Sequence, residues 1–191
     1  MITYLIIIGI SSALIAGINI IFNPSNIAFY WYIIAIIAYV IAAILLDGFL
    51  AFIIRKMPEK WFDHNKKLFV LTKGEKKFYE AIGIRKWKSK VPDLGQFTNF
   101  QKGKIAEPRS NEYLERYLLE GAYGIAIHYF STPLGFLLMF PIGHTTLWLT
   151  MALPVAIVNA ILIILPAFTL KYNLAKLRIL YERNERRNAT M

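Results

Sequence analysis

Four polar side chains stand inside long apolar sequence: Asp47, Glu120, His128 and Asn159. A charged group at the centre of a bilayer costs on the order of 3 kcal/mol or more, so intramembrane ionisable residues face a protein interior and carry function by default. Of the four, only His128 titrates near neutrality in its unperturbed form. His128, with Asp47 and Glu120, therefore has the look of a group that could handle a proton. Eight residues separate Glu120 from His128, which is ~12 Å of rise on a regular helix, so the two do not touch directly. Glu120, Gly121, Gly124 and His128 fall along one helix face, and the glycines make either a groove for a ligand or a close-packing surface. Asp47 lies eight residues before Arg55, and Asn159 stands at about the depth of His128. The sequence therefore predicts that four polar groups from three helices meet in the inner half of the bilayer. Structural roles compete with the chemical ones. Asp47 and His128 would pair to hold a bundle together, Glu120 would pair with Arg116 four residues earlier, and Asn159 would hydrogen-bond between helices. His64 and His144 read as surface residues.

The elements that position these groups are membrane spans. All 22 lysines and arginines of the 191 residues fall in two stretches, Arg55–Arg116 and Lys171–Arg187. The hydrophobic content of 57% exceeds the ~45–50% usual for soluble domains, and the mean hydropathy is +0.45. Residues 2–22, 28–54, 118–140 and 146–170 are each long enough to cross a ~30 Å hydrocarbon core. The expected fold is an all-α integral membrane protein, a single domain over residues 1–191 with four transmembrane helices. An amphipathic, interfacial segment of residues 55–117 joins the second span to the third, and residues 171–191 form a helical tail. By the positive-inside rule the basic segment, the tail and both termini are cytoplasmic, in a multi-pass protein of the cell membrane.

Local signals refine this outline. Asn23-Pro24-Ser25-Asn26 reads as a turn, and Phe29, Tyr30, Trp31 and Tyr32 as an interfacial belt. In the basic segment, Trp61, Phe62, Phe69, Phe78, Tyr79, Trp87, Phe97 and Phe100 alternate with lysines and look exposed, as in short helices lying among anionic headgroups. Pro92-Asp93-Leu94-Gly95 is a turn by composition. Ser110 is suited to cap a helix starting at Asn111 and running without a break into the third span. Pro133 is expected to kink or interrupt that span. The fourth span contains Pro154 and Pro166.

Several function classes are excluded. With no cysteine and three histidines, there is no thiolate nucleophile and no basis for a dedicated metal or haem site. No phosphate-binding loop, dinucleotide fingerprint or nucleophile elbow occurs. The net charge of +10 is explained by membrane orientation and anionic lipid, and nucleic acid is not an expected partner. A non-catalytic scaffold or accessory subunit, docking a partner or anionic lipid through the basic loop, competes with an enzyme. The buried polar cluster separates the two, because a scaffold has no need of it. A small transporter ranks third, since four spans leave little room for a path unless the chain forms a homo-oligomer.

The stretch Ile84-Arg85-Lys86-Trp87-Lys88-Ser89-Lys90, followed by Asp93, resembles the Arg-Lys-Trp-Lys motif of the glycosyl-diaponeurosporenoate acyltransferases. The similarity takes in Met57-Pro58-Glu59-Lys60-Trp61-Phe62, then Glu115, Glu120 and His128-Tyr129, then Tyr172-Asn173 and Leu177-Arg178-Ile179-Leu180. It covers roughly residues 57–187. The turn lacks the histidine that the family pattern places beside its acidic residue, and Asn159 and Pro166 stand further apart than in that pattern. The resemblance implies a membrane acyltransferase of staphyloxanthin-type carotenoid synthesis. Such an enzyme esterifies a hydroxyl of a glycosylated isoprenoid or other lipid with a fatty acyl group. No cofactor is held; the co-substrate is an acyl donor, as acyl-CoA, acyl carrier protein or free fatty acid. His128, Glu120 and Asp47 would be catalytic, with His128 as general base towards the attacking hydroxyl. Arg85, Lys86, Trp87, Lys88, Asp93, Asn159, Tyr172 and Asn173 would bind substrate.

Overall fold

The computed structural model describes residues 2–91, 105–142 and 146–189, and among these there are helices but no strands. The elements in order are α1 (Ile2–Phe22), α2 (Phe29–Lys56), a 3₁₀ turn (Glu59–Phe62), α3 (Lys73–Ala81), α4 (Ile84–Trp87) and α5 (Asn111–Leu134). A 3₁₀ stretch (Gly135–Ile142), a π-turn (Trp148–Ala152) and the long α6 (Leu153–Ala189) complete the chain. Four helices are long and apolar enough to cross a membrane: Ile2–Phe22, Phe29–Lys56, Asn111–Met139 and Trp148–Ala189. Asp93 and its turn, Phe97, Phe100 and His144 lie outside the described residues.

The chain divides into two compact units, Met1–Phe52 with His128–Ile164, and Ile53–Ile127 with Leu165–Met191. In the first, α1 buries only Ala16 and Asn19, while Ile2, Leu5, Ile10, Leu14 and Ile21 are each more than half exposed. So much apolar surface on one helix fits hydrocarbon surroundings, where it costs nothing. The core of this unit joins Tyr32, Ile36 and Tyr39 of α2 to Met139, Met151, Ala152 and Val155. The turn expected at Asn23–Asn26 is present. Both asparagines adopt positive φ, and the Tyr32 hydroxyl donates to Asn23 Oδ1 at 2.8 Å while accepting from the Ser25 amide.

The two prolines of the fourth span leave backbone carbonyls without the N–H that an α-helix would supply four residues on. For Pro154 that carbonyl belongs to Thr150, and Asn19 Nδ2 donates to it at 2.8 Å. For Pro166 it belongs to Leu162, and the Tyr4 hydroxyl donates to it at 3.0 Å. Helix α1 thus supplies side-chain donors where α6 lacks backbone ones, which hydrocarbon demands and water would not. Asn19 is saturated, since its Oδ1 also accepts from Thr150 Oγ1 at 2.6 Å and its Nδ2 donates to Ile15 O at 2.8 Å. Replacing Asn19 with leucine is expected to lower stability by about 1–2 kcal/mol, the range for interhelical hydrogen bonds in membranes. Unfolding of the detergent-solubilised protein by a denaturing surfactant checks this; unchanged stability would mean that Thr150 finds another donor.

In the second unit, Ser110 caps α5 as expected, its Oγ accepting from the Tyr113 amide at 3.2 Å, and the helix continues unbroken into the third span. Past Pro133 the backbone tightens to 3₁₀ from Gly135. The glycine face of α5 is a packing surface. A Cβ at Gly121 would collide with the Leu174 side chain, and one at Gly124 would lie 2.7 Å from Leu170 Cδ1. No ligand groove runs there, because α6 fills it.

The aromatic residues of the basic segment divide in two. Phe62, Phe69 and Tyr79 are buried, contrary to the exposed reading, because each finds a ring partner: Phe62 packs on Phe69 and Tyr123, and Tyr79 stacks on Phe168 at 4.7 Å. Trp61 and Phe78 do remain exposed. Trp87 turns its Nε1 inward to Ile82 O at 2.9 Å.

Candidate active site

Two polar groupings emerge, one in each unit. In the first unit, Asp47 of α2 accepts from Ser131 Oγ at 2.6 Å, and its carboxylate lies close enough to the His128 imidazole to act on it electrostatically. The local backbone explains the placement. Thr132 Oγ1 donates to the His128 carbonyl at 2.7 Å, a back-bond that bends a helix, and Pro133 follows directly. Ser131 and His128, three residues apart, stand on one face of α5, and Ser131 is the one that bonds Asp47. His128 Nδ1 is buried and has no hydrogen-bond partner among the described residues. A buried imidazole nitrogen without a protein partner is an exception among folded proteins, where most such groups are satisfied.

Asn159 belongs to the same unit. Its Nδ2 is buried without a partner and approaches α5's continuation so closely that a Cβ at Gly135 would lie 2.8 Å from it. The interhelical hydrogen bond expected of Asn159 is therefore not made by its amide nitrogen. Gly135 is required for the close approach, and the amide is left as a donor.

Glu120 belongs to the second unit, and its carboxylate is occupied. Oε2 accepts from Arg55 Nη1 at 2.8 Å and Oε1 from Arg116 Nη2 at 2.9 Å. The Arg116 pair is the one expected at four-residue spacing; the Arg55 contact bridges 65 positions and no local pattern announces it. Arg55 also lies over the Tyr123 ring at 5.7 Å, and Arg116 reaches Glu59 at 3.2 Å. This arrangement fixes α2, α5 and the first 3₁₀ turn to one another within the unit.

The motif residues gather around Tyr172. Capping forms their scaffold. Thr72 Oγ1 accepts from the Glu75 amide, and Glu75 Oε2 accepts from the Thr72 amide at 2.9 Å, a capping box that starts α3. Gly83 at φ +72° turns the chain from α3 into α4, a conformation glycine adopts without strain. Arg85 then donates to Glu80 Oε1 at 2.6 Å and to the Tyr172 hydroxyl at 3.2 Å, and Lys88 Nζ donates to Asn173 Oδ1 at 2.8 Å. The Arg85 guanidinium beside Glu80 holds that carboxyl below the usual carboxylate range. Ile84 and Tyr79 are buried with Tyr172 beneath these groups. Four of the expected substrate-binding residues, Arg85, Lys88, Tyr172 and Asn173, are thus brought together. Lys86 points outward and is exposed.

Three participants were not expected. Glu80 joins Arg85 to Tyr172. Ser131 holds Asp47, although its place three residues from His128 was available as a signal. Lys171, nearly fully buried, pairs with Glu75 at 2.6 Å. His64, expected at the surface, is mostly covered, its ring against Tyr181 at 6.0 Å. Burial, with Arg178 nearby, lowers its pKa against the opposing pull of Asp63, Glu115 and Glu182.

No curated protein and no solved structure matches the chain. The family model of glycosyl-4,4'-diaponeurosporenoate acyltransferase matches residues 58–183, a stretch holding the Tyr172 cluster, Glu120, His128, Ser131 and Asn159. With well over half its length matched in this way, the chain belongs to the glycosyl-4,4'-diaponeurosporenoate acyltransferase family.

Proposed function

We propose that the protein is a membrane-embedded acyltransferase that esterifies a hydroxyl of a glycosylated isoprenoid or carotenoid, or a related lipid, with a fatty acyl group. The observation that carries the mechanism is the unpartnered, buried Nδ1 of His128 beside an Asp47 carboxylate that Ser131 holds in place. The acceptor hydroxyl gives its proton to the imidazole as it attacks the acyl carbonyl, the Asp47 charge stabilises the imidazolium that forms, and the imidazolium returns the proton to the donor's leaving group as its bond to the acyl carbon breaks. The Asn159 amide, whose buried nitrogen has no partner among the described residues, donates to substrate oxygen and favours the developing oxyanion. Glu120, held by its two arginines in the second unit, is left a positioning role there, and Asp93 joins the substrate-binding set.

The second unit meets the bilayer surface. Helix α3 packs Phe78 and Tyr79 on Phe168 of α6, whose apolar run ends two residues later at Leu170. An exposed Phe78 beside exposed Lys73, Lys76 and Lys77 suits a helix at the interface, ring towards hydrocarbon and ammonium groups at anionic headgroups. The basic segment and both termini face the cytoplasm in this reading, in line with the positive-inside rule. The Arg85–Lys88–Tyr172 cluster then binds the anionic part of the acyl donor at headgroup level.

Mass spectrometry of lipids and pigments from cells with and without the protein tests the proposal. A product heavier than its precursor by one fatty acyl residue is expected, and its fragments name the acceptor. Identical lipid and pigment profiles in cells supplied with the glycosylated acceptor would refute it.

A further inference from the structure

Around Tyr172 three cations meet. Arg85 donates to its hydroxyl, and Lys88 Nζ and Lys176 Nζ lie 5.2 Å and 5.9 Å from its ring centroid. Among the described residues one carboxylate answers them, Glu80, which accepts from both Arg85 and the Tyr172 hydroxyl. The Lys88 ammonium is left with a neutral amide oxygen; burial, then Lys176 and Arg85, push its pKa below the ordinary lysine value. Arg85 and Lys176 are exposed and Lys88 is partly buried, and like charges gathered on one ring repel unless an anion joins them. Glu80 is also one wall of an open groove of about 510 Å³ lined by Lys73, Gly74, Lys76 and Lys77. A Cβ at Gly74 would meet nothing within 4 Å, so the groove is open at that point. Among the described residues a single carboxylate therefore divides two cationic surfaces, the cradle around the buried Tyr172 ring and the exposed α3 groove.

We propose that the two surfaces together bind the nucleotide portion of an acyl-coenzyme A donor, the cradle taking its diphosphate and the α3 groove the phosphate on its ribose. A fatty-acid carboxylate or a phospholipid carries one anionic group and leaves one surface unmatched. An acidic carrier protein would meet the exposed lysines of α3 but leave Lys88 unmatched, which is partly buried beside a Tyr172 that is only 5% exposed. Lysines 73, 76 and 77 span about one helical turn, ~5 Å, which suits a single phosphate held by several ammonium groups. The donor's identity rests on the acyl-transfer reading above; the anion site does not.

Equilibrium binding to the full-length protein in zwitterionic nanodiscs tests the assignment, with coenzyme A and 3'-dephospho-coenzyme A as probes. Coenzyme A is expected to bind roughly tenfold more tightly than the dephospho form, about one charge-assisted contact. Lys73→Gln with Lys77→Gln should erase that difference and leave the dephospho form unaffected. Lys88→Gln should weaken both roughly tenfold, with helix content by circular dichroism unchanged. Equal affinity for the two probes, or no binding of either, overturns the proposal. So does an α3 variant that loses only its affinity for phosphatidylglycerol vesicles, or for an acyl carrier protein, while its preference for coenzyme A persists. Binding as expected without any ester product would sink the acyl-transfer reading and keep the site. Ester made while coenzyme A fails to bind would do the reverse.

Discussion

Glutamine at position 128 is expected to stop ester formation while the chain stays in the membrane fraction at its normal level. The side chain keeps its length and polarity but cannot take a proton from the attacking hydroxyl. A positioned base contributes roughly 10²- to 10⁴-fold to such a step, so the ester yield should fall below detection in cells. The fold gives no reason for collapse. Thr132 bonds the carbonyl of His128 and not its ring, and Ser131 continues to hold Asp47, so the bend of α5 is independent of the imidazole. Asp47→Asn provides the internal comparison. It keeps an oxygen for Ser131 and removes the charge beside the imidazole, and its loss of yield should be smaller than that of His128→Gln. The measurement is acyl ester per unit of membrane-bound protein, by mass spectrometry. Full yield from the glutamine variant would make His128 a packing residue. The base would then have to be sought elsewhere.

The sequence carried the fold to the extent that a bilayer enforces it. Apolar runs of span length have one stable solution, which is why α1 begins and ends at the expected residues and α5 runs through from Ser110. Pro133 was legible as an interruption, and Pro154 and Pro166 were visible in the fourth span. Their remedies were not, because which donor reaches the Leu162 or Thr150 carbonyl depends on how α1 is rotated, and a helix apolar all round carries no signal of rotation. The aromatic residues of the basic segment show the same limit. Phe78 and Tyr79 are adjacent in sequence and opposite in burial, and only the docking of α3 on Phe168 decides between them. Of the site, His128 and Asp47 were visible as charges in apolar sequence, whereas the grouping of Glu120 with Arg55 required contact across distant positions. The Thr72–Glu75 capping box emerges only with the structure, and its neighbour Lys171 hid its partner by standing where a span ordinarily ends.

That partner is the basis of the largest expected change in stability. Lys171 is 3% exposed and its ammonium lies 2.6 Å from Glu75 Oε1, while Glu75 Oε2 completes the cap of α3. Glu75→Gln keeps an oxygen for the cap and removes the charge that faces the buried ammonium. Losing one member of a buried pair costs about 3–5 kcal/mol, and the loss here should lie near the lower figure because the Glu75 side chain is 31% exposed. Lys171→Met should cost less, since the carboxylate it leaves behind can turn to water. The double variant should recover most of the difference, as the charge is then absent from both sides. The pH dependence has a defined sign. Burial raises the Glu75 pKa, and the hydrogen bonds from Lys171 and Thr72 outweigh it, so the folded value lies below the ordinary 4.5. A depressed carboxylate contributes stability that is complete above its unfolded pKa and is lost as pH falls through the folded one. Protection factors of the α3 amides, which remove the intrinsic slowing of exchange in acid, should therefore fall in the wild type between neutral pH and below about 4.5. They should be low and nearly independent of pH in Glu75→Gln. Slow exchange in that variant at neutral pH would show that aromatic packing on Phe168 alone holds α3, and that the ion pair accompanies the docking without causing it.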